Sequence, residues 1–337
     1  MVKNIVVFSD GTGQEGGKGP PTNIYKVFKA IENRTPNQIS FYDRGLGTET
    51  RGLNTTWTIP ARFLKKATGL GFGKNVLDCY QFIFDNFEAG DRIYMFGFSR
   101  GAATVRSVSG FIDMFGILPK SRPELIKEAY KIYKIKNEDK RLQVANDFYE
   151  KHNTMWTKVE FLGVWDTVSA LGLSAKLISN VIDLVPGFKN KFHNFSLSPS
   201  VTHAYHALSI DDERKIFHPE LWDHDTLPHQ SMEQVWFCGV HTDIGGGYRD
   251  TGLSDIALDW LIQHSVCHGL LIYDTHILKF SGNPDGTMHN SRAKLWEKCA
   301  YTRKERFWPK LDKLGVPRGK PSIHPSVHQR TLDKTNS

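Results

Sequence analysis

The chain of 337 residues contains few cysteines and lacks long apolar runs. Its four cysteines form no C-x-x-C motif and are too sparse for a disulfide-rich fold, so we expect reduced thiols in a protein made in the cytoplasm. No apolar stretch approaches the ~18 residues of a membrane-spanning helix. The apolar run near the N-terminus is typical of a strand and not of a signal peptide, which leaves export by a signal-independent machinery open.

Internal repeats and low-complexity tracts are also absent, which excludes a repeat array. Instead, β-branched apolar runs alternate with segments of helical periodicity between KNIVVFS (3–9) and EQVWFCGV (233–240). This alternation predicts an α/β fold: an α/β-hydrolase-like, mostly parallel sheet with helices on both faces. Residues 120–155 predict a charged helical insertion. Residues 170–192 are apolar and predict either a lid or an ordinary core helix.

The segment DRIYMFGFSRGAATVRSVSGF (91–111) places Ser99 between two glycines, in the pattern G-x-S-x-G. The pattern alone is a weak signal, but an apolar strand leads into it and a helix of small residues follows. This context predicts a nucleophile elbow, a tight turn that holds the serine hydroxyl above the carboxyl edge of the sheet. A serine nucleophile needs a histidine base and an acid that orients the histidine.

Both partners are available at the ends of later strands. Asp166 ends VEFLGVWD and His241 follows VWFCGV, so we expect both at the same sheet edge as Ser99. We therefore predict Ser99, Asp166 and His241 as the catalytic residues. The sequence leaves rival acids and bases open: Asp211, Asp243, His203, His206, His324 and His328. Of these, Asp243, His206 and Asp211 are predicted to support the site.

Acyl transfer also requires two N–H donors that stabilise the negative charge developing on the carbonyl oxygen. Arg100, directly after the nucleophile, is predicted to supply one from its backbone. The loop DGTG is the best source of the other, through Gly11 or Thr12. Asp10 is expected either to order this loop or to take a direct part in the reaction.

Parts of the sequence also resemble the sites of two other hydrolase classes. A haloacid-dehalogenase phosphatase would carry its nucleophilic aspartate where this chain has Phe8, which excludes that reading. A metallohydrolase using Asp10, Asp166, His241 and Asp243 stays open, although H-x-D is a thin ligand signature. We predict no metal and no cofactor.

The basic charge is concentrated near the C-terminus. Between Arg292 and Lys320 there are ten lysines and arginines against three acids, a net of +7 that equals the charge of the whole chain. Aromatic residues are interleaved with these charges: Trp296, Tyr301, Phe307 and Trp308. Residues 292–320 therefore suit an anionic membrane surface or an acidic partner protein. A solvated basic edge is the plainer interpretation, and no nucleic acid is expected.

Six motifs appear in order: VVFSDGTGQ (6–14), YDRGLGT (42–48), FGFSRGA (96–102), FLGVWDTV (161–168), HALSIDDERKIF (206–217) and VWFCGVHTDIGGGY (235–248). Together they resemble the α/β-hydrolase family of the type VI secretion phospholipase effector catalytic domain. The resemblance implies a Ser-Asp-His hydrolase acting on an ester or phospholipid substrate.

We therefore predict a serine esterase or phospholipase that cleaves carboxylic ester bonds through an acyl-enzyme. The alternative is a hydrolase-fold binding module with a vestigial triad that recognises an acidic partner or a membrane surface. Residues 1–270 are predicted to form the catalytic domain, and residues 271–337 a basic C-terminal extension packed on it.

Overall fold

The computed structural model describes residues 2–12, 16–17, 19–45, 71–168, 196–223, 226–273, 280–292, 302–312 and 315–335. The strands of this part are β1 (Asn4–Ser9), β2 (Gln38–Asp43), β3 (Arg92–Phe98), β4 (Val159–Trp165), β5 (Val201–Ser209), β6 (Ser231–Phe237) and β7 (Ser322–Ile323). The helices are α1 (Asn23–Ala30), α2 (Phe72–Asn86), α3 (Arg100–Phe115), α4 (Leu125–Tyr133), α5 (Glu138–His152), α6 (His241–Gly245), α7 (Gly252–Cys267) and α8 (Pro325–Thr335).

The described strands form one seven-stranded sheet in the order β2-β1-β3-β4-β5-β6-β7. Every neighbouring pair is parallel, which confirms the predicted α/β architecture. From β1 the chain adds β2 on one side of the strand, and β3 and the later strands are then added on the other side. Open α/β sheets bind ligands at such a reversal of strand order, outside the carboxyl ends of the strands. The ends of β1 and β3 are therefore the expected location of a site.

Side chains alternate along each strand between two apolar cores. On β1, Ile5 and Val7 pack in a cluster with residues of α2, α3, α4 and α5. Val6 and Phe8 point to the opposite face and pack with residues of α1 and α7. A strand buried on both faces must be apolar at every position, because neither row of side chains reaches water. This explains the continuous apolar runs in the sequence.

The predicted insertion at 120–155 contains α4 and α5. Ala129, Ile132 and Phe148 of these helices are buried in the first core, so the insertion covers one face of the sheet. Its outer side carries the charged residues and a few exposed apolar ones, such as Leu142. Residues 170–192, predicted as a lid or a core helix, lie outside the described residues.

The C-terminal extension contributes to the sheet. Ser322 and Ile323 of β7 pair in parallel with Val235 and Trp236 of β6. The predicted domain boundary at residue 270 stays a prediction. Within the described residues, no helix is both long enough and apolar enough to span a bilayer.

Candidate active site

Ser99 lies in the turn between β3 and α3, with backbone angles φ 58° and ψ −121°. A side chain other than glycine is strained at positive φ, and such strain clusters at functional sites. Two glycines make the turn possible. A Cβ at Gly97 would lie 2.5 Å from the Cα of Ala102, and a Cβ at Gly101 would lie 2.0 Å from the carbonyl oxygen of Ser9. The small residues thus let α3 begin directly against the ends of β1 and β3.

Ser99, His241 and Asp166 form a continuous hydrogen-bonded chain, although they lie far apart in the sequence. The Ser99 Oγ is 2.8 Å from His241 Nε2. The other ring nitrogen, Nδ1, is 2.5 Å from Asp166 Oδ2. All three residues are buried. A hydroxyl, an imidazole and a carboxylate linked in this order allow the imidazole to take the hydroxyl proton while the carboxylate fixes its tautomer.

Asp166 follows β4 directly and also has a positive φ, of 40°. Its Oδ1 accepts hydrogen bonds from the Ser209 amide, at 3.0 Å, and from Arg306 Nη1, at 2.6 Å. Burial alone would raise the pKa of this carboxyl group. The Arg306 guanidinium and the hydrogen bond from His241 outweigh burial and hold the pKa well below its usual range. Asp166 is therefore ionised at neutral pH.

His241 is the first residue of α6, and its backbone N–H donates to Asp212 Oδ2 at 3.1 Å. Its ring contacts the aromatic rings of Phe98 and Phe217, with centroid distances of 4.7 and 4.8 Å. Burial lowers the pKa of His241, against the opposing effect of Asp166. The imidazole is consequently neutral near pH 7, as a general base must be.

The loop after β1 is ordered by Asp10. Its carboxylate accepts hydrogen bonds from the Gly11 amide, at 2.7 Å, from the Thr22 hydroxyl, at 2.7 Å, and from the Tyr42 hydroxyl, at 2.5 Å. Gly11 was predicted as an oxyanion donor, but its N–H is taken up by Asp10. The hydroxyl of Thr12 is buried and has no hydrogen-bond partner in the part of the chain that the structure describes. Arg100, the other predicted donor, begins α3.

Three residues predicted as supporting each hold a segment next to the hydrogen-bonded chain of Ser99, His241 and Asp166. Asp243 accepts hydrogen bonds from the Val240 amide, at 3.0 Å, and from the ring of His289, at 2.6 Å. Asp211 accepts one from the Gly239 amide at 2.6 Å. His206 Nε2 accepts one from the Thr167 amide at 3.1 Å, directly after Asp166. These bonds fix the loops that carry Asp166 and His241.

The rival bases have other partners. His203 lies near the start of β5, at the opposite edge from the strand ends, and contacts the Ser231 hydroxyl at 2.7 Å. His324 contacts the Ser326 hydroxyl at 2.9 Å, and His328 is exposed on α8. Of the histidines predicted as bases, His241 is the one bonded to Ser99.

Two residues that contact Asp166 or His241, Asp212 and Arg306, are not predicted as site residues from the sequence. Asp212, which anchors the His241 amide, was passed over beside its neighbour Asp211. The prediction of a basic surface at residues 292–320 is wrong for Arg306, because its side chain is 1% exposed and donates to both oxygens of Asp166. No pattern near Arg306 distinguishes it from the surrounding basic residues. Among the described residues, no group of three or more His, Cys, Asp and Glu side chains is arranged to hold a metal ion.

The family model described as "T6SS, Phospholipase effector Tle1-like, catalytic domain" matches residues 3–264. The chain belongs to this family. The match covers the sheet from β1 to β6 and every residue of the Ser99, His241 and Asp166 chain, but it ends before Arg306.

Three individual proteins are similar to the Tle1-like chain. The uncharacterized Saccharomyces cerevisiae protein YEL023C is 29% identical over 232 residues, which is 64% of this chain and 32% of the yeast protein. An uncharacterized Pseudomonas aeruginosa protein of known structure gives a TM-score of 0.46 at 15% identity, covering 84% of this chain and 49% of that one. The structure of the Tle1 effector bound to the VgrG spike gives a TM-score of 0.40 at 18% identity, covering 75% of this chain and 52% of that one. The chain thus spans a third to about half of these relatives.

Proposed function

We propose that this Tle1-like chain is a serine esterase that hydrolyses carboxylic ester bonds of lipids or phospholipids. The observation that carries the proposal is the hydrogen-bonded chain from Ser99 Oγ through His241 to Asp166, with distances of 2.8 and 2.5 Å. The strained Ser99 backbone and the lowered pKa of His241 support the same function. Membership of a phospholipase effector family supports a lipid ester as the substrate class.

The reaction would proceed in two halves. His241 Nε2 accepts the Ser99 proton as Oγ attacks the ester carbonyl, and the resulting imidazolium is stabilised by the Asp166 carboxylate. The imidazolium then gives its proton to the departing alcohol, which leaves an ester between Ser99 and the acyl group. In the second half, His241 takes a proton from water, and the hydroxide formed attacks the acyl carbonyl. The imidazolium then returns the proton to Ser99 Oγ as the fatty acid leaves, which regenerates both residues.

The tetrahedral intermediate of each half needs donors for its oxyanion. We assign one to the Arg100 amide at the start of α3, where the helix dipole also favours negative charge. The second comes from Thr12, because Asp10 occupies the Gly11 amide and the Thr12 hydroxyl is buried without a partner among the described residues.

The test is labelling by a fluorophosphonate together with hydrolysis of a soluble short-chain ester. Ser99→Ala should lose the label and lower kcat by at least about a thousandfold. Ser109→Ala is the matched control, because Ser109 is a buried serine of α3, the helix that begins directly after Ser99, and its hydroxyl donates to the Arg106 carbonyl. It should keep both label and rate. Hydrolysis by Ser99→Ala at more than about a tenth of the wild-type rate would contradict the proposal.

Two further measurements refine it. Adding His241→Ala to Ser99→Ala should cause almost no further loss of rate, because the two residues act as one unit. EDTA should leave the rate unchanged. A loss that added metal restores would instead favour a metallohydrolase that uses the predicted set Asp10, Asp166, His241 and Asp243.

A further inference from the structure

Arg306 is a fully engaged buried cation. Nη1 donates to Asp166 Oδ1 at 2.6 Å and to the Ser209 carbonyl at 2.8 Å. Nη2 donates to Asp166 Oδ2 at 2.9 Å and to the Phe217 carbonyl at 2.6 Å. Nε donates to the Asp212 carbonyl at 3.1 Å. The planar fork of arginine fits a carboxylate with two parallel bonds, which lysine cannot reproduce.

The backbone around Arg306 is paired with the loop that follows β5. The Lys215 amide donates to the Thr302 carbonyl at 2.9 Å, and the Lys304 amide donates to the Glu213 carbonyl at 2.7 Å. The same loop supplies Asp212, which anchors the His241 amide, and Phe217, which packs on the His241 ring. The C-terminal segment therefore reaches both the acid and the surroundings of the base.

We propose that Arg306 is the positioning residue of the active site: it aims the Asp166 carboxylate at His241 and keeps the imidazole neutral at mildly acidic pH. This inference rests on the proposed esterase function. Arg306 has no contact with Ser99 in this arrangement and acts through Asp166. It lies beyond residue 264, so the segment outside the family match completes the site.

The effect on pH dependence follows from the charges that face the pair. His241 faces Asp166 and Asp212, which favour its protonation, and Arg214, which opposes it. Asp166 additionally faces Arg306 and the neutral ring of His206. Arg306 and His241 share the same oxygen, Oδ2 of Asp166. A fixed cation there competes with the imidazolium for the carboxylate and so lowers the pH at which His241 gains its proton.

The experiment compares three Arg306 variants with a matched control on a soluble ester between pH 5 and 9. Arg306→Met and Arg306→Gln remove the charge, and Arg306→Lys keeps the charge but loses the fork. Arg318→Met is the control, because Arg318 is a buried arginine of the same extension whose Nη2 lies 3.1 Å from Asp223. Circular dichroism checks that each variant is folded.

We expect Arg306→Met and Arg306→Gln to raise the acid-limb midpoint of kcat/KM by roughly one to two pH units. Their kcat at pH 8 should fall about tenfold with KM unchanged, since Arg306 acts through Asp166. Arg306→Lys should keep the wild-type midpoint and lose only kcat. Arg318→Met should keep both. If Arg306→Met does not fold, Arg306→Gln, whose amide can still donate to a backbone carbonyl, decides the test. An unshifted midpoint in the charge-removing variants would overturn the inference.

A readout independent of turnover separates this inference from the proposed function. The His241 imidazole can be titrated by ¹⁵N NMR, with its signal assigned from His241→Gln. Its pKa should rise in Arg306→Met and stay at the wild-type value in Arg318→Met, whether or not the wild type hydrolyses esters. If the wild type is inactive but the pKa of His241 rises in Arg306→Met, the esterase function is rejected and the positioning role is kept. An active wild type with an unchanged His241 pKa would reject the positioning role alone.

Discussion

The Asp166 carboxylate accepts hydrogen bonds from four N–H groups, two of Arg306, one of Ser209 and one of His241. In Asp166→Asn, an NH₂ group replaces one of the two carboxylate oxygens. Whichever oxygen it replaces, the NH₂ group faces N–H donors and cannot accept their hydrogen bonds. The Arg306 guanidinium also loses its counter-ion. Removing one partner of a buried ion pair lowers the free energy of unfolding by about 3–5 kcal/mol. With an unfolding entropy of about 2.1 cal/mol/K per residue, this loss corresponds to a Tm about 4–7 °C lower for a chain of this length.

Activity should fall for a separate reason. The His241 Nδ1 can accept from the new amide only if its own proton moves to Nε2, where the ring can no longer take the Ser99 proton. A wrong tautomer of this kind lowers kcat by about 10⁴. The variant is therefore expected to be both inactive and unstable, whereas an acid without a buried arginine partner would yield an inactive but stable variant.

Guanidinium unfolding followed by circular dichroism tests the stability part. The control is Asp113→Asn, since the Asp113 carboxylate accepts the Ser200 amide at 2.9 Å, and its loss should stay below about 1.5 kcal/mol. In the double variant Asp166→Asn/Arg306→Met, the destabilisation should be smaller than the sum of the two single losses by at least about 1.5 kcal/mol. If Asp166→Asn unfolds within about 1 kcal/mol of the wild type, the ion pair is not the stabilising contact that its burial implies.

Two other predictions concern the supports of the site. Stability should fall as the pH drops below about 6.5, because the unfolded His206 binds a proton there while burial lowers the folded pKa to about 3. His206→Gln keeps an acceptor for the Thr167 amide but cannot be protonated. It should reduce the slope of unfolding free energy against pH by up to about 1.4 kcal/mol per pH unit, measured by urea titrations at several pH values. An unchanged slope would contradict the prediction. Gly101→Ala should lower the free energy of unfolding by about 1–3 kcal/mol and kcat about a hundredfold, because its Cβ would lie 2.0 Å from the Ser9 carbonyl oxygen and push the end of β1 away from the start of α3, next to Ser99. Gly319→Ala, with nothing within 4 Å of the added Cβ, should change neither, and equal behaviour of the two variants would refute the argument.

The sheet and the proximity of Ser99, Asp166 and His241 can be predicted from the sequence for the same reason. Strands buried on both faces leave continuous apolar runs, so the positions where those runs end are visible. Ser99, Asp166 and His241 all sit at such ends, and parallel pairing of β3 to β6 brings those ends to one edge. Their proximity therefore follows from topology, without knowledge of any side-chain contact.

Arg306 could not be found in this way. It lies 140 residues from Asp166 along the chain and belongs to no strand or helix of the described part. Its neighbours in the sequence are basic, and a segment rich in lysine and arginine predicts a solvated surface. The sequence does not show which one of these side chains is buried. The bond from the Gly11 amide to Asp10, in place of the predicted role as an oxyanion donor, could not be predicted for a related reason, because only the rotamer of Asp10 decides whether that N–H is used.

Within the described residues of the segment 292–320, two arginine side chains are buried and other basic residues are exposed, which narrows the membrane hypothesis to the exposed ones. Arg306 must be left intact, whereas Lys310 is exposed, Phe307 is 53% exposed, and the Lys304 ammonium lies 5.4 Å from the Phe307 ring centroid. Each lysine near an anionic bilayer contributes about 1 kcal/mol, so Lys304→Glu/Lys310→Glu should lower vesicle binding at least about 30-fold at low salt. Phe307→Ala should weaken binding by an amount that salt does not change. Co-sedimentation with anionic and neutral vesicles at two salt concentrations measures both effects, and hydrolysis of a soluble ester should stay constant. Equal pelleting of the lysine variant and the wild type would contradict the membrane hypothesis and leave this surface as a solvated edge or a site for an acidic protein, because reversing two charges cannot leave an electrostatic contact with a bilayer unchanged.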